Sequence, residues 1–300
     1  MAKLETYSTR EDWLQARRRS IGSSDSAVLW GCGYASQSLY ALWCDKLGLS
    51  SWQPSKAELR RLKKGQLLEP YIREIASEEL GVELFTDPPN SMRVAGYLSA
   101  SLDSYCVADE RHIPVELKHV GPHNADEWND DALPLKYEAQ VRHQMLVVGA
   151  PYGYVCGLCD DELFVRRVER DAMFDAEHKR RCHAFWESVA TKTPPTIDGS
   201  EATTEAIKAR WRRERGPRVE VGAELDEWTR TLGELTERIK ADEQSAESLK
   251  NKIRDAIGDA EGCISPSGVE WTWKTQERKE YVVAASSARI LRRVGKRKGK

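Results

Sequence analysis

Two acidic residues and a lysine stand where a short β-hairpin would bring them together. Glu116 and Lys118 flank one apolar residue in the run Val115-Glu116-Leu117-Lys118, and Asp103 precedes them by a turn-rich insert. Alternate side chains of a strand share a face, so Glu116 and Lys118 point one way while Val115 and Leu117 pack behind. A hairpin would place Asp103 beside them. Two carboxylates and an ammonium at one point suit a hard divalent cation and a charged water, which is the equipment for cutting a phosphodiester.

The residue types give each group a role in such a site. Mg²⁺ is usually held by one or two carboxylates together with substrate phosphate, and Asp103 and Glu116 can supply them. Lys118 could orient or help to deprotonate the water, or stabilise the transition state. The alternative is a solvated strand face at Glu116-Leu117-Lys118 and an ordinary turn residue at Asp103. Because acid-x-lysine triplets are common, the triplet alone does not decide.

Two further motifs add polar groups of the same kind. Glu69 lies in Gly65-Gln66-Leu67-Leu68-Glu69-Pro70, within an apolar helical pattern ahead of the sheet. Downstream, the spacing of Tyr137, Gln140 and Gln144 predicts that they share one helical face. Taken singly, each motif also fits a plain surface: an exposed helix acid in the first case and a polar helix face in the second.

The elements that must position these residues follow from the periodicity of apolar side chains. A long helix is predicted over 57–80 with Gly81 as its stop, and Pro70 marks either a break or a new first turn. The other predicted elements are helices within 11–29, over 38–47, after Pro134 and over 170–190, and strands over 82–85, 92–100, 104–107, 113–120, 152–158 and 163–168. The pattern predicts an α/β (α+β) fold with a mixed central sheet flanked by helices.

The composition bounds the class of protein. The chain has 300 residues, a formal net charge of −2 and seven cysteines. A net charge near zero excludes a nucleic-acid polycation, so any DNA contact must come from local basic clusters. No apolar run is long enough for a membrane span or a signal peptide, and an odd, scattered set of cysteines favours reduced thiols. We therefore expect a protein of the cell interior with no membrane partner.

The chain divides by composition into four predicted parts. Residues 1–195 form the main domain and residues 196–222 a linker. The run Thr193-Pro194-Pro195-Thr196 marks the boundary between them. Residues 223–258 follow a heptad pattern, interrupted at Asp242, which favours either an oligomerisation coil or a helix packed on the main domain. Residues 259–300 hold a hairpin with Trp271 and Trp273, and then a basic tail that ends at Lys300.

These motifs, in this order, resemble the phage lambda exonuclease family, the YqaJ-type viral recombinase nucleases of the PD-(D/E)xK superfamily. The resemblance spans about residues 13–190. It is carried by these segments: Arg17…Ile21-Gly22-Ser23-Ser24-Asp25, Tyr40-x-x-Trp43-x-x-Lys46-x-Gly48, Gly65-x-x-x-Glu69-Pro70, Ala100-Ser101-Leu102-Asp103, Glu116-Leu117-Lys118, Trp128, Pro134 and Tyr137-x-x-Gln140-x-x-x-Gln144-Met145.

The resemblance implies a restriction-endonuclease-like core and a Mg²⁺-dependent 5′→3′ DNA exonuclease, with Mn²⁺ as a substitute. Such an enzyme digests one strand of a linear duplex for recombination and leaves a 3′ strand to a single-strand annealing protein. It also implies the cytoplasm of a bacterial host, a phage or prophage origin and a trimeric ring around DNA.

The resemblance also implies roles for individual residues. Glu69, Asp103, Glu116 and the backbone carbonyl of Leu117 would hold the metal. Lys118 would serve the attacking water, and Gln140 would support the site by hydrogen bonding.

A second implied site grips the 5′ phosphate of a DNA end through Arg17 and Ser24. The planar fork of arginine can pair with two phosphate oxygens. Arg18 and Arg19 are adjacent alternatives for this role.

Three departures from the family pattern lie around the acidic residues. Leu102-Asp103-Ser104 stands where Pro-Asp-Gly is usual, the insert after Asp103 carries the further acids Asp109 and Glu110, and His119 follows Lys118. They put the turn geometry at Asp103 and the assignment of the acids in question.

Other readings remain open at this point. A restriction-type or structure-specific endonuclease would use the same core but would not need a terminal-phosphate pocket, and a catalytically silent DNA-binding protein would not need the intact acids. Cys156 and Cys159 are spaced like two ligands of a metal cluster. An iron–sulfur cluster needs four thiols, and we do not expect such a cluster here.

Overall fold

The computed structural model describes residues 2–49, 55–214 and 216–277. Its α-helices are α1 (Arg10–Arg17), α2 (Ser26–Leu29), α3 (Leu39–Lys46), α4 (Lys56–Leu80), α5 (Leu135–Val148), α6 (Ala172–Ala190), α7 (Glu201–Arg210) and α8 (Glu224–Ile257). Its strands are β1 (Lys3–Thr6), β2 (Ile21–Gly22), β3 (Ser91–Ala95), β4 (Leu98–Ala100), β5 (Ser104–Ala108), β6 (Arg111–Val120), β7 (Tyr152–Cys159), β8 (Glu162–Glu169), β9 (Gly262–Ile264) and β10 (Glu270–Thr272).

The sheet that carries the candidate site is mixed, as the sequence predicts. Its order is β5-β6-β7-β8, with β6 and β7 parallel and the two outer pairs antiparallel. The parallel pair needs a long connection, which a 3-10 segment (Pro122–Asp131) and α5 provide. A second sheet has the order β1-β3-β4-β2, and its strand β2 lies between Arg17 and Ser24 in the chain. The predicted α/β class with a mixed sheet and flanking helices is confirmed.

Helix α4 begins and ends where local chemistry dictates. Ser55 and Glu58 form a capping box at its first turn, and Gly81 takes a left-handed conformation with φ of 64° at its end. The helix continues through Pro70, although proline removes one backbone donor. Ile72 and Ala76 pack against the face of β6 that carries Val115 and Leu117.

Several boundaries differ from the predicted ones. The single strand predicted over 92–100 is a hairpin of β3 and β4, because Gly96 turns the chain with φ of 64°. The predicted strand over 82–85 is reduced to one bridge between Phe85 and Tyr105. The segment predicted as a linker over 196–222 contains α7, whose Ala202 and Ala206 are buried.

The chain divides into two compact units, residues 1–212 and 213–300. In the second unit, α8 runs unbroken through Asp242, and its heptad side chains, including Trp228 and Leu232, are exposed. Strands β9 and β10 form the short hairpin, and Trp271 is about half exposed on it. The predicted basic tail lies outside the described residues. None of the helices in the described part of the chain is both long enough and apolar enough to cross a membrane.

Candidate active site

Strand β6 separates the polar residues of the site from their apolar support. Val115 and Leu117 belong to the cluster formed with Ile72 of α4. On the opposite face, Glu116 and Lys118 lie side by side beneath α5 and are joined by an ion pair. The period-two alternation of a strand produces this division, as the sequence predicts.

Glu116 is fully buried, and its carboxyl group accepts hydrogen bonds from three side chains. Its Oε1 accepts from the ammonium of Lys118 and, at 2.5 Å, from Nε2 of Gln140, while its Oε2 accepts at 2.5 Å from Nε2 of Gln144. Burial, followed by the charge of Asp103, raises the pKa of Glu116 to about 8, against the opposing effect of Lys118 and Gln144. The carboxylate is therefore costly to ionise unless further positive charge is supplied.

Lys118 is held in its charged form. Burial alone would lower the pKa of its ammonium, but the charges of Glu116 and Asp103 outweigh burial and raise that pKa. The ammonium also lies 5.7 Å from the ring centre of Tyr137. The Lys118 ammonium is thus a hydrogen-bond donor to Glu116.

Asp103 precedes β5 at the point where its pairing with β6 ends. Oδ2 of Asp103 accepts from the backbone N–H of Leu117 at 3.0 Å. The ladder between the two strands stops at the pair of Ser104 and Val115. The N–H and C=O of one strand residue point to the same edge of the strand. Because the Leu117 N–H points to Asp103, the Leu117 carbonyl also points to that edge, where β5 has not yet begun.

Glu69 reaches the same region from α4. Its Oε1 accepts from Nη2 of Arg73 at 3.1 Å, one helical turn on. Burial and then Asp103 raise the pKa of Glu69, while Arg73 and Lys118 oppose the rise. The negative charge of Asp103 therefore raises the pKa of both Glu69 and Glu116.

The donor set fits a hard divalent cation. Three carboxylates and a backbone carbonyl are the oxygen ligands that Mg²⁺ prefers. Burial, and then the charge of Asp103, raises the pKa of both Glu69 and Glu116, and a bound cation would offset both effects. Their oxygens do not form a tight ligand group: in the described residues, the three potential ligand atoms that lie within 4.8 Å of one another belong to His143, His178 and Cys182.

The group of two histidines and Cys182 is occupied by hydrogen bonds. The indole N–H of Trp30 is a donor only and lies 2.9 Å from Nδ1 of His178, so the proton of His178 is on Nε2. That N–H donates to Nδ1 of His143 at 2.9 Å, and Nε2 of His143 donates to the Ser99 carbonyl at 3.1 Å. Burial lowers the pKa of His143 to about 4 and that of His178 to about 3. The chain of bonds ties α2, α6, α5 and β4 together through neutral side chains.

The residues predicted to grip a phosphate end lie together at the start of the chain. Nη2 of Arg17 donates to the Ser24 hydroxyl at 2.7 Å, and the guanidinium lies 4.7 Å from the ring centre of Trp13. Arg18 instead pairs with Asp45 at 3.4 Å. Of these two neighbours, Arg17 is the one that contacts Ser24.

The further acids of the insert lie at the far end of β5. Asp109 and Glu110 both have positive φ, 48° and 61°, and form the two-residue turn between β5 and β6. Asp103 stands at the other end of the strand, so these acids do not compete with it for the site.

The two cysteines of β7 lie on opposite faces of the strand. Cys156 packs with the α4 side of the sheet and Cys159 with the α5 side, as three-residue spacing in a strand requires. Burial raises the pKa of Cys156 to about 12. The ring of Trp128 covers Gly157, which lies between the two cysteines. An added Cβ there would come within 2.7 Å of that ring, so the position needs glycine.

Sequence reasoning did not single out Arg73, Asp25 or Lys46 as polar partners of the two sites. Arg73 is four residues beyond Glu69, a helical spacing at which opposite charges pair, and this signal is readable from the sequence. Asp25 and Lys46 are far apart in the chain, and their contact appears only in the fold.

Comparisons with known proteins agree with the predicted resemblance. Residues 12–151 match the model of the YqaJ-like viral recombinase domain. The protein YqaJ of Bacillus subtilis (strain 168) is 27% identical over 263 residues, which cover 84% of this chain and 80% of that protein. The resemblance to YqaJ-type recombinase nucleases that the motifs predict is confirmed.

Two solved exonucleases are also similar. An alkaline exonuclease from Laribacter hongkongensis, solved in complex with dAMP, is 22% identical with a TM-score of 0.47 and covers 61% of this chain and 93% of that one. A phage-related exonuclease from Haemophilus somnus 129PT is 13% identical with a TM-score of 0.45 and covers 58% and 94%.

Proposed function

We propose, from the match of residues 12–151 to the YqaJ-like viral recombinase domain, that this chain is a metal-dependent deoxyribonuclease that resects linear duplex DNA in the 5′→3′ direction. The observation that carries the proposal is the buried carboxyl group of Glu116, which is paired with Lys118. The charge of Asp103 acts on both Glu116 and Glu69 and raises the pKa of each. A buried site of this kind is costly without a cation, which points to a functional rather than a structural role.

The residues that would hold the cation are Glu69, Asp103, Glu116 and the carbonyl of Leu117. Mg²⁺ suits this all-oxygen set, and Mn²⁺ should replace it. When bound, such an ion lowers the pKa of a ligated water and offsets the charge that builds on the phosphate.

The remaining residues of the site act as donors. Lys118 is held in its charged form by Glu116 and Asp103, and its ammonium would orient the attacking water through that water's lone pair or stabilise charge on the phosphate. Gln140 and Gln144 hold the two oxygens of Glu116 and so fix the carboxylate in one orientation. Their hydrogen bonds favour the ionised form, which is the form that binds metal.

Arg17 and Ser24 would receive the 5′ phosphate of the strand that is digested. Ser24 accepts from Arg17 through its oxygen, which leaves the hydroxyl proton available for a phosphate oxygen. The guanidinium keeps further N–H groups for the same ligand. A terminal phosphate bound here would select duplex ends and would set the polarity of digestion.

The remaining parts of the proposal concern partners. The 3′ strand that resection leaves is the substrate of a single-strand annealing protein, which is proposed as the functional partner. The exposed heptad face of α8 is a candidate for self-association into a ring or for contact with that partner.

The experiment that tests the function compares linear and covalently closed duplex DNA of one sequence, incubated with the full chain and Mg²⁺ or Mn²⁺. An exonuclease degrades the linear form alone and releases mononucleotides first from the 5′ end. Cleavage of closed circles would replace the proposal by the endonuclease alternative. The absence of metal-dependent digestion of either form would favour a silent DNA-binding protein.

A further inference from the structure

Lys46 carries a buried charge in an unusual place. It is the last residue of α3, its side chain is 3% exposed, and its ammonium lies 2.6 Å from Oδ2 of Asp25. The same ammonium donates to the backbone carbonyl of Arg17 at 3.1 Å. A buried ammonium is tolerated only when it is paired and hydrogen-bonded, so both contacts are required at this point of the fold.

Asp25 connects the same ammonium to the turn that bears Ser24. Its Oδ2 also accepts from the backbone N–H of Gly22 at 2.8 Å and closes the 3-10 turn Ser23–Asp25. One ion pair therefore anchors the end of α1, where Arg17 lies, and the turn that presents Ser24. Arg17 and Ser24 are the two residues of the proposed 5′-phosphate site.

The charges around this site also suit an anion. Burial would raise the pKa of Asp25, but Lys46 and then Arg17 outweigh burial, and the pKa lies below its ordinary value. Asp25 is therefore ionised, and its charge is matched by Lys46. Asp25, Lys46 and Arg17 together therefore carry one net positive charge, and the Arg17 guanidinium is in contact with Ser24.

We infer that the buried Asp25–Lys46 ion pair is the positioning device of the 5′-phosphate site, holding Arg17 and Ser24 at the spacing at which both bind a terminal phosphate. The inference rests on the proposed function and deepens it. Asp25 and Lys46 act through Arg17 and Ser24 and do not touch the DNA. Removing the pair should affect phosphorylated ends and leave the carboxylate site of β6 intact.

The test measures initial rates on linear duplexes with 5′-phosphate or 5′-hydroxyl ends, for the full chain and for Lys46→Met, Asp25→Ala and the double variant. The ratio of the two rates should fall roughly tenfold in each variant, the factor expected for losing one hydrogen bond to a charged group. The loss should appear as a higher KM for phosphorylated ends. Since the two residues act as one unit, the double variant should lose no more than either single variant.

Two controls keep the result interpretable. Lys208→Met removes an exposed lysine that pairs with Glu205 on α7, and its rate ratio should equal that of the wild type. The double variant leaves no unpaired buried charge, so it reports on the inference even where Lys46→Met alone does not fold.

The outcomes separate the inference from the proposed function. A wild-type preference for 5′-phosphate that survives unchanged in the double variant overturns the inference alone, and a lower Tm with an unchanged ratio does the same. A wild-type chain that digests no linear duplex overturns the proposed function and the inference together. A wild-type chain that digests both ends equally overturns the 5′-phosphate site and the inference, and leaves the nuclease assignment in place.

Discussion

The hydroxyl of Ser104 accepts a hydrogen bond of 2.7 Å from Nε of Arg73. Ser104 stands where the family pattern has a glycine after Asp103, and the contact joins it to α4. Nη2 of Arg73 meanwhile donates to Glu69 and lies 3.4 Å from the carbonyl of Asp103. A single guanidinium thus fixes two of the proposed metal ligands relative to each other.

Removing this link should weaken metal binding. In Arg73→Ala the pKa of Glu69 rises further, because Arg73 now opposes the effect of burial and Asp103. The Mg²⁺ concentration for half-maximal digestion should increase by about 10-fold or more, as for other residues that orient metal ligands. Arg180→Ala, which removes an exposed pair with Glu177 on α6, should leave the concentration unchanged. Equal metal requirements in the two variants would refute the role of Arg73.

Gln144 should set the pH at which the site becomes active. Its hydrogen bond favours the ionised form of Glu116, so Gln144→Leu should raise a pKa that already lies at about 8. Digestion requires ionised Glu116, and the acid side of the pH–rate profile should therefore move to higher pH. A profile that keeps its midpoint while the maximal rate falls would show that Gln144 acts only through packing.

The phosphate site makes a prediction about two adjacent arginines. Arg17→Ala should abolish the preference for 5′-phosphorylated ends, because its guanidinium contacts Ser24. Arg18→Ala is the matched control and should keep the preference, since Arg18 pairs with Asp45 and Gln15. Loss of preference in Arg18→Ala and not in Arg17→Ala would move the site by one residue. Competition between the two duplexes in one reaction measures both.

Acid should destabilise the first unit through its buried histidines. The folded-state pKa values of His143 and His178, about 4 and about 3, lie below the ordinary value of 6.5. The unfolded chain therefore binds more protons below pH 6.5, and the free energy of unfolding should fall between pH 6.5 and 4 by up to about 1.4 kcal/mol per pH unit for each histidine.

Urea unfolding at several pH values measures this slope. The double variant His143→Gln and His178→Gln should have a smaller slope than the wild type, whereas His123→Gln, at an exposed position, should match it. An unchanged slope in the double variant would show that other groups control acid stability.

The arrangement of side chains on β6 could be predicted from the sequence, because strand alternation alone determines which side chains share a face. Glu116 and Lys118 lie together for this reason, and the limits of α4 follow from Ser55, Glu58 and Gly81. These signals are local, and local signals are readable from one sequence.

What could not be predicted depends on tertiary contacts. Asp25 and Lys46 both lie in motifs that carry the family resemblance, but their contact forms only once α3 packs beside the turn, and their spacing in the chain does not indicate it. The helix α7 was missed because it is anchored by small residues, Ala202 and Ala206, which produce no strong apolar periodicity. The break at Gly96 was missed because glycine also occurs within strands.

The central claim is that Glu69, Asp103, Glu116 and Lys118 form one nuclease site, and Lys118→Ala tests it most directly. The measurement is digestion of linear duplex with Mg²⁺ by wild type and variant, with DNA binding of both recorded in parallel and Lys179→Ala, an exposed lysine of α6, as the control. The predicted result is loss of digestion with DNA binding retained in Lys118→Ala and full activity in the control. Digestion by Lys118→Ala at the wild-type rate would contradict the account.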